Sequence, residues 1–147
     1  MASDRLGAPP ETFWVFLEIN DPGKLDPADA LLDSRLSGID QPSRLRAWER
    51  VGARIIDLDY IQPALSDDGQ APEAGLLLAL IPPAPASSLP APRLRAHLER
   101  FFGISVLKGR PLPEVALIQI QACRNRQDYI LRLPTERVSA TIRSSAP

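Results

Sequence analysis

Apolar residues along this chain fall into short blocks that switch between strand and helix periods. Phe13-Trp14-Val15-Phe16-Leu17-Glu18-Ile19 is dense in aromatic and β-branched residues and stops at Asn20-Asp21-Pro22-Gly23, so it predicts a strand ended by a turn. Pro27, Ala28, Leu31, Leu32 and Leu36 follow at helical spacing, with Asp26 placed as N-cap and Gly38 as the stop. A second amphipathic helix starts at Gln41, where Pro42 suits the first turn and Leu45, Trp48, Val51 and Ile55 recur every three or four residues; Gly52 is its expected break. Ile56, Leu58 and Tyr60 then alternate with Asp57 and Asp59, the period of a half-buried strand that ends before Pro63.

Gly75 to Ile81 is nearly all aliphatic and too short for an ordinary helix, which predicts a buried strand. Prolines 82, 83, 85, 90 and 92 make residues 82–92 a stiff, extended connection. A third helix is expected over Pro92–Phe102, with Leu94, Leu98 and Phe101 on one face, the Arg95/Glu99 pair outside and Gly103 as the stop. Val115–Cys123 alternates Ala116, Ile118, Ile120 and Ala122 with Leu117, Gln119, Gln121 and Cys123. Asp128–Leu133 repeats that pattern, and the four residues from Arg124 to Gln127 suit the turn of a C-terminal hairpin. The resulting organisation is a flexible N-terminal tail over 1–11, a single α+β domain over 12–134 and a flexible C-terminal tail over 135–147.

Arg44-Leu45-Arg46-Ala47 is echoed by Arg93-Leu94-Arg95-Ala96, each copy opening near a proline and lying between strands. Strand, helix, strand therefore occurs twice, the order of a ferredoxin-like fold: a duplicated split βαβ with an antiparallel sheet and two main helices on one face. That arrangement makes the first strand and Gly75–Ile81 central. Their far face would then display either Trp14 and Phe16 or Phe13, Val15 and Leu17. Four or five bare apolar side chains, at roughly 1.5–3 kcal/mol each for full burial, would demand a cover. The short helix from Pro27 folding back, a second copy, or a different partner could supply it.

Composition narrows the classes. The chain has 147 residues, 44% apolar and 24% charged, enough for one buried core. Its net charge of −1 and pI near 5.8 fit neither a disordered polyelectrolyte nor a basic nucleic-acid coat. The balance hides an asymmetry, because residues 1–73 carry −7 and residues 74–147 carry +6. Cys123 is the sole cysteine, so the chain alone can form neither a disulfide nor a cysteine zinc site, and a reducing compartment is expected. The longest aliphatic run, Leu76 to Ile81, falls well short of the ~20 residues of a membrane span, and a cytoplasmic protein is expected.

Candidate chemistry is sparse. His97, the one histidine, flanks the stripe of Leu94, Leu98 and Phe101, which suits a boundary packing residue better than a general base or haem ligand. Cys123 lies beside Arg124 and Arg126, which favour a thiolate, but no base is near it in sequence. Asp57 and Asp59 share a strand face and read as solvated acids on an edge rather than as a cation site. Asp67-Asp68-Gly69 is turn chemistry. The arginines are the informative group, at 15 against two lysines. Arg46, Arg50 and Arg54 recur four apart on one helix face and repel unless an anion compensates them.

No phosphate loop, nucleophile elbow or zinc motif is present. The expectation is a noncatalytic interaction or assembly protein that docks a protein partner or forms a homodimer. Trp14 and Phe16 are the anchors, and Arg46, Arg50 and Arg54, with Arg124 and Arg126, complement charge. RNA binding through the arginines is the first alternative, weakened because Leu76–Ile81 offers no aromatic for base stacking. A small dimeric α+β-barrel enzyme or haem protein using His97 is the second.

Overall fold

A computed structural model describes residues 13–137. The first strand, β1 (Val15–Asn20), gives way to helix α1 (Pro27–Ser37) and helix α2 (Gln41–Arg50). Both helix starts are side-chain capped: the Asp26 carboxylate accepts from the Ala28 N–H at 2.8 Å, and Asp40 accepts from the Ser43 N–H at 2.8 Å. Gly38 closes α1 at φ 73°, donating to the Ser34 carbonyl at 3.0 Å, a left-handed cap that a side chain would strain. Strands β2 (Arg54–Ile56), β3 (Leu76–Ile81) and β4 (Ser88–Pro90) follow, then α3 (Ala91–Arg100), which runs into a π-helical segment, Phe101–Val106. Helix α4 (Glu114–Ala122), a 3-10 turn (Cys123–Asn125) and β5 (Asp128–Arg132) complete the order, and residues 134–137 wind as one further helical turn.

The five strands form one antiparallel sheet in the order β1-β3-β2-β5-β4. Helices cover both of its faces. On one, Leu78, Leu80, Ile56, Tyr129 and Leu131 pack with Leu94 and Leu98 of α3, Phe102 and Val106 of the π segment, and Ala116 and Ile120 of α4. On the other, Leu17, Ile19, Ile55, Leu77 and Ala79 meet Leu45 and Trp48 of α2. Alternation along β1 and β3 divides the two sets, since odd positions face α2 and even positions face α3.

Several expectations are corrected here. The two long helices do not share a face, so the bare apolar face of the sequence reading does not exist. The helix offered as one of three covers for the sheet, α1, buries none of its residues; the cover is α2. β3 does sit between β1 and β2, but β1 is at the rim rather than central. The C-terminal hairpin is absent because Val115–Cys123 is helical: Ala116, Gln119, Ile120 and Cys123 are buried at helical spacing, while Leu117 and Ile118 are exposed. β2 covers Arg54–Ile56 rather than Ile56–Tyr60, which takes Ile55 and Arg54 out of the preceding helix. Gly103 does not stop α3, since winding continues to Val106. The proline-rich connection contains a strand, with Leu89 paired to Tyr129. The N-terminal tail over 1–11 lies outside the described residues, as does the C-terminal tail beyond 137.

The middle of the connection from β2 to β3 is gathered by one side chain. The Arg110 guanidinium donates to the Leu65 carbonyl at 2.8 Å and pairs with Asp67, while its Nε donates to the Leu107 carbonyl at 3.0 Å. Reciprocal backbone bonds between Gln62 and Glu73, each 2.9 Å, pinch the neck of the same connection.

Candidate functional site

Arg46 and Arg50 lie one turn apart on α2, and Arg54 opens β2 after a reversal at Val51-Gly52-Ala53. Gly52 adopts φ +94°, and the Ala53 N–H donates to the Trp48 carbonyl at 3.0 Å, so the chain turns back against its own helix end. The three arginines line one open cleft of 380 Å³ together with Glu49 and Thr135. The three meet, as the sequence suggested, but through a helix-to-strand turn rather than along one helix.

The local charge is only partly offset: the Glu49 carboxylate lines the same cleft, and Asp40 lies close enough to Arg46 for its carboxyl to be held down partly by that charge, after the bonds it accepts from Ser43. Arg46 donates to the Ser43 hydroxyl at 3.0 Å and Arg54 to the Ala53 carbonyl at 2.8 Å, both neutral acceptors. The carboxylate of Glu49 is engaged, accepting from the Thr135 backbone N–H at 2.9 Å. Among the described residues, none of the three arginines has a carboxylate within ion-pair distance. By contrast Arg44 pairs with Asp33 at 2.9 Å and Arg132 with Asp57 at 3.0 Å. Like charges one helical turn apart cost about 0.2–0.5 kcal/mol, so the cluster is not a stabilising device.

The other expected site residues are elsewhere. Trp14 is half-buried under the Arg93 guanidinium, which lies 5.2 Å from its ring, and Phe16 stacks on His97 at 3.8 Å and 7°. Both rings pack against the α3 side of the core, so within this chain they act as packing groups. Arg126 caps the Tyr129 ring at 4.2 Å and lines a separate cleft of 470 Å³ with Asp57, Asp59 and Ile118. Arg124 is exposed on the 3-10 turn and lines neither cleft. The sequence brings the arginines of α2 and β2 together, but not those of the C-terminal segment with them.

His97 is stacked between Phe16 and Phe101, the latter at 5.5 Å and 10°. Burial without a charged partner lowers its pKa to about 4, so the ring is neutral at physiological pH. Burial also raises the Cys123 thiol, outweighing its bond from the Tyr129 hydroxyl and the nearby Arg95 and Arg126, so the thiolate favoured by the sequence is not the resting form. Asp57 is paired with Arg132, and Asp59 lies in the mixed-charge cleft.

Sequence reasoning missed one polar cluster. Glu18 accepts from the Tyr60 hydroxyl at 2.9 Å and from the Gln62 amide at 3.0 Å, on the α3 side of β1. Burial pushes the Glu18 carboxyl upward, with those two bonds partly opposing it, and burial next to Glu18 pushes Tyr60 up. The available signal was Glu18 as the single charge in an otherwise apolar run. Among the described residues, no three His, Cys, Asp or Glu side chains gather where they could hold a metal ion, and no helix is long and apolar enough to cross a membrane.

The chain matches no protein-family model, no curated protein and no solved structure.

Proposed function

We propose that this chain is a noncatalytic interaction or assembly module that docks an acidic segment of a protein partner at the cleft of Arg46, Arg50 and Arg54. The carrying observation is the gathering of three guanidinium groups around one open cleft, with hydrogen bonds from Arg46 and Arg54 only to neutral acceptors, whereas Arg44, Arg95, Arg110, Arg132 and Arg137 each pair with a carboxylate. Guanidinium offers a planar fork that fits carboxylates, and an open cleft suits a chain segment better than an enclosed small molecule. The β1-β3-β2 part of the sheet supports reading the scaffold as a variant of the ferredoxin-like arrangement, extended at one side by β5 and β4. The expected compartment is the cytoplasm.

The test compares a fluorescent acidic peptide with a single-stranded RNA of equal charge. Arg46→Glu together with Arg50→Glu should weaken peptide binding by about 100-fold, since each reversed charge at a solvated contact is worth on the order of 1 kcal/mol or more. RNA bound more tightly than peptide, or peptide binding untouched by the double reversal, would overturn the proposal.

A further inference from the structure

The two rims of the sheet differ in what their backbones leave open. The Asp21 N–H donates to the Gly75 carbonyl at 2.9 Å, and the register places Ile19 opposite Leu77, Leu17 opposite Ala79 and Val15 opposite Ile81. Hydrogen-bonded pairs alternate along an antiparallel ladder, so the odd residues of β1 bond to β3. Phe16, Glu18 and Asn20 therefore aim their N–H and C=O groups away from the sheet. Among the described residues, none of these groups has a backbone or side-chain partner outside the strand ladder. At the opposite rim, Leu89 bonds inward to Tyr129, and only Ser88 can offer an outward N–H, because Pro90 has none.

The β4 rim is thus blunted by shortness and proline, and among the described residues the β1 rim carries none of the usual protections. It has six residues, no proline and no lysine, and its one charge, Glu18, is turned inward to Tyr60 and Gln62. Val15, at its start, is 54% exposed.

The geometry points to a homodimer in which β1 of one copy pairs antiparallel with β1 of a second across a two-fold axis, joining the two sheets into one. This surface is separate from the arginine cleft and stands without it. Outward groups must face outward groups, so only even residues can form the bonded pairs across the axis. Two registers then pair five residues of the strand. One sets Glu18 against Glu18 of the second copy, a like-charge pair directly opposite, and leaves Val15 unpaired. The other sets Phe16 against Glu18, Val15 against Ile19 and Leu17 against Leu17, and it covers Val15. The second register is the one assigned here.

The chain's own first residues are the competing occupant. Pro9 and Pro10 of that segment lack the N–H groups that an added strand supplies. A second copy supplies all of them.

The experiment places a cysteine at Leu17 in a Cys123→Ser background of the full chain. Leu17 meets its own counterpart at a non-hydrogen-bonded pair, with Cα atoms about 4.5 Å apart, within reach of a disulfide. Mild oxidation should give cross-linked dimer from Leu17→Cys and little from Val15→Cys, whereas a mixture of Val15→Cys and Ile19→Cys chains should cross-link. Without cysteines, light scattering should show dimer at ~10 μM, and Val15→Lys should raise the dissociation constant by about 10-fold or more while leaving the circular dichroism spectrum unchanged. A strictly monomeric chain at ~100 μM, a dimer indifferent to Val15→Lys, or dimerisation that appears only when residues 1–10 are removed would overturn the inference.

Discussion

The two faces of the sheet are built on different scales. Against α3, the π segment and α4, the even positions of β1 and β3 join a cluster that includes Tyr60, Phe102 and Tyr129. Against α2, the odd positions meet only Leu45 and Trp48. The α3 side is a core in its own right, whereas the α2 side is a lid held at two points. A lid of that kind can carry solvent-facing chemistry, because few of its residues are committed to packing. Arg46 and Arg50 occupy the positions of α2 that packing leaves free.

The contrast can be broken from the heavy side first. Phe102→Ala should destabilise by about 3–5 kcal/mol, the range for emptying a fully buried aromatic site, with chemical denaturation as the measure. Leu45→Ala, at the centre of the smaller cluster, should cost about 2–3 kcal/mol, because a face with few neighbours can collapse partway into the void. If the two losses proved equal, α2 would have to be counted as core.

His97 separates the faces by pH. Its folded pKa of about 4 lies below the ordinary 6.5, so the unfolded chain takes up a proton that the folded one refuses. The stabilisation is complete above pH 6.5 and should decline as pH falls from there toward 4. His97→Phe should flatten that part of the melting-temperature profile, and an unchanged slope would show that the ring is not the titrating group. The smallest effect belongs to α1. Leu32→Ala should change stability by less than about 0.5 kcal/mol, since the side chain is already 55% exposed.

Legibility in the sequence followed the same division. Strands β1 and β3, the caps of α1 and the start of α2 could be read directly, because each rests on local chemistry: β-branched or aliphatic runs, the Asp26 N-cap, Gly38 and Pro42. Helix α4 was misread because Ile118 and Leu117 supplied a false alternation, while Gln119 interrupted the true stripe of Ala116, Ile120 and Cys123. Gln119 belongs in that stripe because its amide donates to the Ile61 carbonyl at 2.7 Å and its carbonyl accepts from the Ile61 N–H at 3.0 Å, a long-range pairing that no local pattern encodes. The nearness of Arg46, Arg50 and Arg54 was legible from their four-residue spacing, but neither the cleft nor its other lining residues, Glu49 and Thr135, were. Arg54 reaches the others because the helix ends at Arg50 and the chain reverses at Gly52, which places β2 beside α2. The assignment of helices to faces was not legible, since Leu45 and Leu94 occupy like positions in matching tetrapeptides yet pack on opposite sides of the sheet.

The strap between β2 and β3 depends on Arg110 in a way that bears on local opening. Nineteen residues, 57–75, separate the two strands, longer than most connections in compact domains. One guanidinium gathers its middle, and one backbone bridge closes its neck. Amide protons of the middle of that stretch, residues 64–72, should therefore exchange together, through an opening that leaves the sheet and the Gln119 bonds to Ile61 intact and whose rate is set by how often Arg110 lets go.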